Sequence, residues 1–445
     1  MELDDSINSR KPPQTIMYSK ITPLGLKARS IKYRTTPVTS GEYNAGNNTI
    51  RFNLSSSTAF LDPHLTYLKF SVQNKTVTLA GPVAQDIQFD GSAHSLIKRL
   101  RITSKSGGFD LENINEYGNL YNLLADLQLD SHYRMGAGAI CEGFGADNGY
   151  ANPSIAETVL AGDAVLAGNN GATKYFCLPI MSSIIGQLNN KYLPLFLTGD
   201  VQLEIELHAR PMVNIIGAGA VLYSVGNVEL HTQLIEFSSE VNNTLRAIAS
   251  TSGLYIHSTS WKNFPAQLQA SQDNSLIINE RLRSVKSLLF DFRGPIPANA
   301  QLRPFGRSSN ALSSYQLKIG QTLYPTQAIR AGIVGDASEF YAETLKAVGC
   351  YANSHNAGVI TPTNYATSVL ATVQAVGTPG RAVYGIDLDA FTKQNIESGV
   401  NSILDNPFTL MISTSANCVA LNADMYILHD QIIVLQPDGQ LLVSK

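Results

Sequence analysis

The chain has 445 residues, of which 44% are hydrophobic, so it can bury sizeable cores and is long enough for two domains of about 200 residues each. Charged residues make up 15%, against a usual value of about 25%, and the net charge is −3. That balance excludes a strongly basic nucleic-acid binder, and no run approaches the roughly 18 apolar residues of a membrane span. The shortage of charge points to an outer surface that other subunits cover, or to one made of Ser, Thr, Asn and Gln, which the sequence also supplies.

Residues 1–45 are polar and begin MELDDSINSR, which is no signal peptide. They carry Arg10, Lys11, Lys20, Lys27, Arg29, Lys32 and Arg34 against four acidic residues, with too few apolar side chains to fold alone. This stretch reads as an arm that gains order by docking on neighbours. Strands follow at Thr49–Leu54, Leu65–Val72 and Leu96–Thr103, the last interrupted by Lys98, Arg99 and Arg101. A helix is expected from Asn115 to Leu129, because Tyr117, Leu120, Tyr121, Leu124 and Leu127 fall on one stripe. The Gly- and Ala-rich stretch Asp130–Thr173 reads as a long loop at a contact surface.

Lys174–Leu207 is the most regular stretch, with apolar runs at Tyr175–Pro179, Met181–Ile185 and Tyr192–Leu197. It ends in Val201, Leu203, Ile205 and Leu207, which alternate with Gln202, Glu204 and Glu206 as in a half-buried strand. Val228–Phe237 closes this half, and 241–253 reads as a linker with a helix cap at Asn242-Asn243-Thr244.

The order then repeats about 200 residues later: strands at Leu254–Phe264 and Ser284–Phe292, and a hairpin at Tyr315–Ile319 and Thr322–Tyr324. A helix at Ala337–Val348 and a loop at Gly349–Arg381 precede strands at Ala382–Leu388, Phe408–Thr414 and Met425–Leu435. The expected class is therefore all-β: two consecutive eight-stranded antiparallel jelly rolls, each with an inserted helix and a long loop. The immunoglobulin unit of about 100 residues is too small for these halves. The divisions are an arm at 1–45, jelly rolls at 46–240 and 254–436, the linker at 241–253, and a tail at 437–445 in which Leu441, Leu442 and Val443 are apolar.

Chemistry-bearing patterns are lacking. His64, His94, His132, His208, His231, His257, His355 and His429 form no HExxH and no pair at metal-ligand spacing. Glu204 and Glu206 share one strand face, but their alternation with buried positions makes them solvated or interface charges and not an acid–base pair. Ser106-Gly107-Gly108 lacks a phosphate-loop context, and no GxSxG elbow occurs. Lys98, Arg99 and Arg101 read as a gatekept edge or interface strand. Cys141, Cys177, Cys350 and Cys418 are widely spaced and read as reduced thiols. No catalytic, cofactor or metal residue is assigned, no cofactor is expected, and the chain does not read as an enzyme.

Three segments carry a family resemblance: LPI…NNKYLPLFL…VQLEIEL (Leu178–Leu207), SYQLKIGQTLYP (Ser314–Pro325) and YILHDQIIVLQPDGQL (Tyr426–Leu441). With the element order, they resemble the double jelly-roll major capsid proteins of double-stranded DNA viruses, nearest the polinton-like virus and virophage branch and more remotely adenovirus hexon. The resemblance implies a homotrimer of pseudo-hexagonal outline that tiles an icosahedral shell. Its partners would be other trimers, penton and minor capsid proteins, with no specific nucleic-acid binding, and its location the virion after synthesis in the host cytoplasm or nucleus. The chain is short for that family, which argues against large outer towers. A receptor- or carbohydrate-binding β-sandwich, such as a viral fibre or lectin, also fits a low-charge, loop-rich chain, although the lone Trp261 weighs against it. A sandwich-fold glycoside hydrolase would need two carboxylates facing each other across a cleft.

Overall fold

A computed structural model describes residues 28–444 apart from 40, 45, 76–85, 90, 105–108, 145–158, 161–172, 209–212, 217–222, 280, 295–305, 333–335, 352–358, 367–379, 391–397, 404–407, 416–417 and 436–440. The first half holds β1 (Ala28–Thr35), β2 (Thr49–Leu54), β3 (Ala59–Asn74), β4 (Asp86–Phe89), β5 (Ile97–Ser104) and β6 (Asp110–Asn115). It continues with β7 (Val159–Leu160), β8 (Thr173–Pro179), β9 (Leu193–Pro194), β10 (Val201–Leu207), β11 (Val213–Ile216) and β12 (Tyr223–Phe237). The second half holds β13 (Leu254–Leu268), β14 (Asp273–Ile278), β15 (Val285–Arg293), β16 (Leu312–Ile319), β17 (Thr322–Arg330), β18 (Tyr384–Asp387), β19 (Phe408–Thr414), β20 (Leu421–Leu435) and β21 (Leu441–Ser444). The helices of eight or more residues are α1 (Tyr117–Gln128), α2 (Ser239–Ser252) and α3 (Ser338–Ala347).

One sheet of the first half runs β1-β12-β3-β8 and the other β2-β10-β5-β6; in the second half they run β13-β20-β15-β18 and β14-β19-β16-β17. Counted in chain order, the eight principal strands of each half are wired 1-8-3-6 and 2-7-4-5, the jelly-roll order. Every ladder between these principal strands is antiparallel in both halves. The helices α1 and α3 occupy the same place, after the fifth principal strand and before the sixth. A small extra sheet, β11-β4-β7, accompanies the first half.

Period-two patterning fixes the register. On β10, Leu203 lies opposite Phe52 and Ile102, and Ile205 opposite Ile50 and Leu100, all of them buried. A slip of one residue would put Glu204 and Glu206 into this core, so the pairing is strongly specified. The preceding apolar run, Ile180–Ile185, is buried without forming a strand. It turns back so tightly that a Cβ on Gly186 would sit 2.1 Å from the Ile180 carbonyl oxygen.

Several expectations are corrected. Residues 28–35, expected in a docking arm, form β1 along the whole last stretch of β12; residues 1–27 lie outside the described part. The tail residues Leu441–Ser444 are already docked in their own chain, as β21 beside Ile432–Leu435, because Leu441 is an apolar side chain that the core buries completely. The linker is helical from Ser239, three residues before the expected cap, and Ser238 makes no side-chain capping bond. The expected loop Asp130–Thr173 starts as short helical turns through Cys141. β5, with Lys98, Arg99 and Arg101, is an inner strand between β10 and β6 and not an edge. Finally, no strand of one half pairs with the other among the described residues, yet the buried apolar side chains of both form one connected cluster.

Candidate assembly interface and the joint between the halves

Two surfaces stand out: the buried joint that holds the two jelly rolls together, and the outer faces where apolar side chains are exposed. The joint is built first from α1. Its stripe of Tyr117, Leu120, Leu124 and Leu127 is buried as the periodicity expects, but Asn119, Asn122 and Asp126 are buried too. Asn119 and Asp126 are seven residues apart and so share one face, which looks to the second half. Asn119 Nδ2 donates to Asp291 Oδ2 and reaches Tyr426 Oη, both at 2.9 Å. The helix lies so close to the turn Ala93–Leu96 ahead of β5 that a Cβ on Gly118 would be 2.6 Å from the His94 carbonyl oxygen.

Around Asp126 converge three buried guanidiniums. Arg134 donates at 2.8 Å and Arg381 at 2.6 Å to Oδ1, while Arg307 donates to Oδ2. Burial pushes the Asp126 carboxyl up, but the Arg381, Arg307 and Arg134 charges outweigh it and hold the group at about 2. Arg307 and Arg381 stand side by side on a parallel β-bridge, which aims both into the joint. The backbone of Val359 also donates to the Asp126 carbonyl at 3.3 Å.

A second cluster has the opposite excess. Arg293 pairs with Asp424, with Glu116 at 3.1 Å and, at 4.0 Å, with Asp291. Glu116 takes a left-handed backbone (φ 48°, ψ 42°), at a cost of about 1–2 kcal/mol for a residue with a Cβ, where β6 turns into α1. Asp291 is fully buried; desolvation and the nearby Asp424 charge raise it to about 6 against the pull of Arg293 and Arg307. Among the described residues, one Arg faces three carboxylates here, while three Arg face one at Asp126. Beside them, buried Glu112 of β6 accepts from the Ser183 amide at 3.0 Å, from Ser260 Oγ of β13 at 2.6 Å, and from Ser182 Oγ. Gln431 of β20 donates to the Leu111 carbonyl at 3.1 Å. The joint therefore couples α1 and β6 to β13, β15 and β20 through side chains.

The residues that sequence singled out lie elsewhere. Glu204 accepts from Arg51 at 2.8 Å and Arg99 at 3.1 Å, and Glu206 from Lys98 at 3.0 Å, all on the face of the sheet away from the core. Arg101 pairs with Asp110 at 2.6 Å. The carboxylates and the basic cluster thus neutralise each other across β2, β10, β5 and β6. His94, His208, His231 and His429 are buried separately, and no group of three metal-ligating side chains occurs among the described residues. Cys141, Cys177, Cys350 and Cys418 form no disulfide among the described residues. Large apolar side chains nevertheless reach solvent, chief among them Ile140 (74% exposed), Ile277 (66%) and Tyr351 (61%).

No protein-family model matches the chain. No curated protein matches it either. Solved structures do. A quasi-atomic model of the PBCV-1 virus capsid matches with TM-score 0.57 and 12% identity, over 96% of this chain and 99% of that one. This chain has the double jelly-roll fold of viral major capsid proteins. The double jelly roll aligns also with a chain of the Sputnik virophage structure, at TM-score 0.59 and 12% identity over 98% of this chain and 92% of that one. The mavirus major capsid protein matches at TM-score 0.51 and 9% identity, covering 100% of this double jelly roll and 95% of its own chain. With identities this low, the likeness establishes the fold.

Proposed function

We propose that this protein is the major capsid protein of a double-stranded DNA virus, forming pseudo-hexagonal homotrimers that tile an icosahedral shell. The observation that carries this reading is the repeated wiring: two jelly rolls of one chain, fixed to each other by a buried joint, so that three copies present six similar corners. The alignment spans both halves in capsid structures of nearly equal length. The charge shortage and the exposed Ile140, Ile277 and Tyr351 supply apolar surface for contacts between copies. Trp261 is 5% exposed and packed in the core, so it offers no sugar-stacking platform for a lectin-like role. The two jelly rolls, from β1 to β12 and from β13 to β21, serve as the modules, with penton and minor capsid proteins as further partners and the virion as the location.

Sedimentation equilibrium tests the reading. Three copies of a 48.1 kDa chain give a particle of about 144 kDa. A folded, stable monomer at micromolar concentration refutes it.

A further inference from the structure

We propose that β1 is an exchangeable strand: in the assembled protein, β1 of one copy lies beside β12 of a neighbouring copy. The proposal rests on the assembly reading only in needing a neighbour within reach.

β1 is the one strand, among those whose burial is described, with no buried side chain. Six of its eight residues are exposed, Tyr33 by 53%; only Ile31 and Thr35 are half-covered. It is held by an eight-pair backbone ladder from Ala28 opposite Phe237 to Thr35 opposite Leu230. Among the described residues, the side-chain contacts that add to it are Gln233 donating to Ser30 and Lys32 Nζ lying 5.5 Å above the Tyr67 ring. A ladder of main-chain bonds is satisfied equally by β1 of any copy. Little apolar burial therefore ties this strand to its own chain, and the choice between own and neighbouring β12 falls to local concentration.

The connection permits the exchange. Tyr43 pins the chain after β1, being 1% exposed and exchanging two 2.8 Å backbone bonds with Val225. Between them run residues 36–42; among the described ones the backbone bond to the body is Val38 N to Arg51 O at 2.8 Å, while Tyr43 Oη donates to the Thr39 carbonyl and Lys75 pairs with Glu42 at 3.5 Å. Seven residues span at most about 25 Å, enough to cross to an adjoining subunit. The vacated edge of β12 cannot stay open, because an unpaired, partly apolar edge invites pairing. A reciprocal strand fills it, which makes the exchange propagate around a closed ring of copies.

The test uses mixed assemblies. One chain carries Ser30→Cys alone and the other Ile235→Cys alone, and the two are co-expressed, purified, weighed by sedimentation and oxidised with glutathione disulfide. A parallel mixture carries Ile31→Cys and Leu234→Cys. Adjacent pairs alternate between near and far Cβ spacing, so one of the two suits a disulfide. The same cysteine pairs on one chain are the positive control for the trap, and the natural cysteines alone are the background. Exchange gives linked dimers on non-reducing gels, well above background, in at least one mixture. A trimer in which the single-chain pairs link and the mixtures do not overturns the exchange while leaving the assembly reading intact. A monomeric mass overturns both. Hydrogen exchange is the second readout: β1 amides exchange at least tenfold faster than those of β3 in freshly diluted protein. Equal protection of β1 and β3 in dilute protein, with no linked dimer, also overturns the proposal.

Discussion

Replacing Asp126 by Asn removes the single carboxylate on which Arg134, Arg307 and Arg381 converge, while keeping size and shape. The lowering of the Asp126 carboxyl from 3.8 to about 2 corresponds to roughly 2–3 kcal/mol of net stabilisation, already reduced by desolvation. The substitution loses that and also takes away the carboxylate that three buried guanidiniums face; breaking a buried ion pair costs about 3–5 kcal/mol. The expected loss is therefore about 3–5 kcal/mol, or roughly 6–20 °C in Tm if a unit of about 200 residues melts with the joint. Thermal unfolding followed by circular dichroism measures it, with Asp110→Asn as the control. Asp110 pairs with Arg101 at the surface, so its loss costs below about 1 kcal/mol. The pH profile adds a second check. A depressed carboxyl contributes its stability above its unfolded value and loses it as pH falls, so the wild-type protein loses this contribution between about pH 4 and 2, and Asp126→Asn does not. A Tm within 2 °C of wild type at pH 7 would refute the view that this cluster holds the halves together.

Asp291 works in the other direction. Its carboxyl is raised to about 6, so its favourable, protonated state is complete below about pH 4 and is lost as pH rises through 6. Asp291→Asn is expected to raise Tm at pH 7.5 by a few degrees and to flatten the wild-type decline between pH 4 and 7, read by the same melts. Truncation after Leu435 removes β21, exposing the β20 edge at Ile432–Leu435 and the site of Leu441. The truncated protein is expected to melt lower and to aggregate on warming, as light scattering would record; an unchanged melting curve would mean that β21 is dispensable to the fold.

The fold was legible wherever burial is one-sided. Val201–Leu207 has one face on the core and one in an ion-pair array, so period two shows plainly in the sequence. The duplication was legible as element order, because each half must build the same two sheets from the same succession of strands. The joint was not. Asn119 and Asp126 look like ordinary solvent-facing residues on the polar side of an amphipathic helix, and only their partners Asp291, Tyr426, Arg307 and Arg381, some 170–310 positions away, show that side to be buried. The usable signal was the seven-residue spacing of Asn119 and Asp126, together with an arginine in each half, Arg134 and Arg307, in a chain otherwise poor in charge. β1 misled because composition reports whether a segment can fold alone, and an edge strand held by main-chain bonds needs no apolar side chains to be in place.

The two equivalent helices differ in how much change they tolerate. In α1, ten of twelve residues are buried; in α3, three of ten are. The duplication placed both after the same strand, but only the first became the keystone between the halves. Drift is consequently lopsided. A new side chain on the outer face of α3 meets water, whereas almost any enlargement or new charge on α1 must displace core or joint. Descendants of this chain can rewrite the second helix while the first stays nearly fixed, and the halves can no longer trade places.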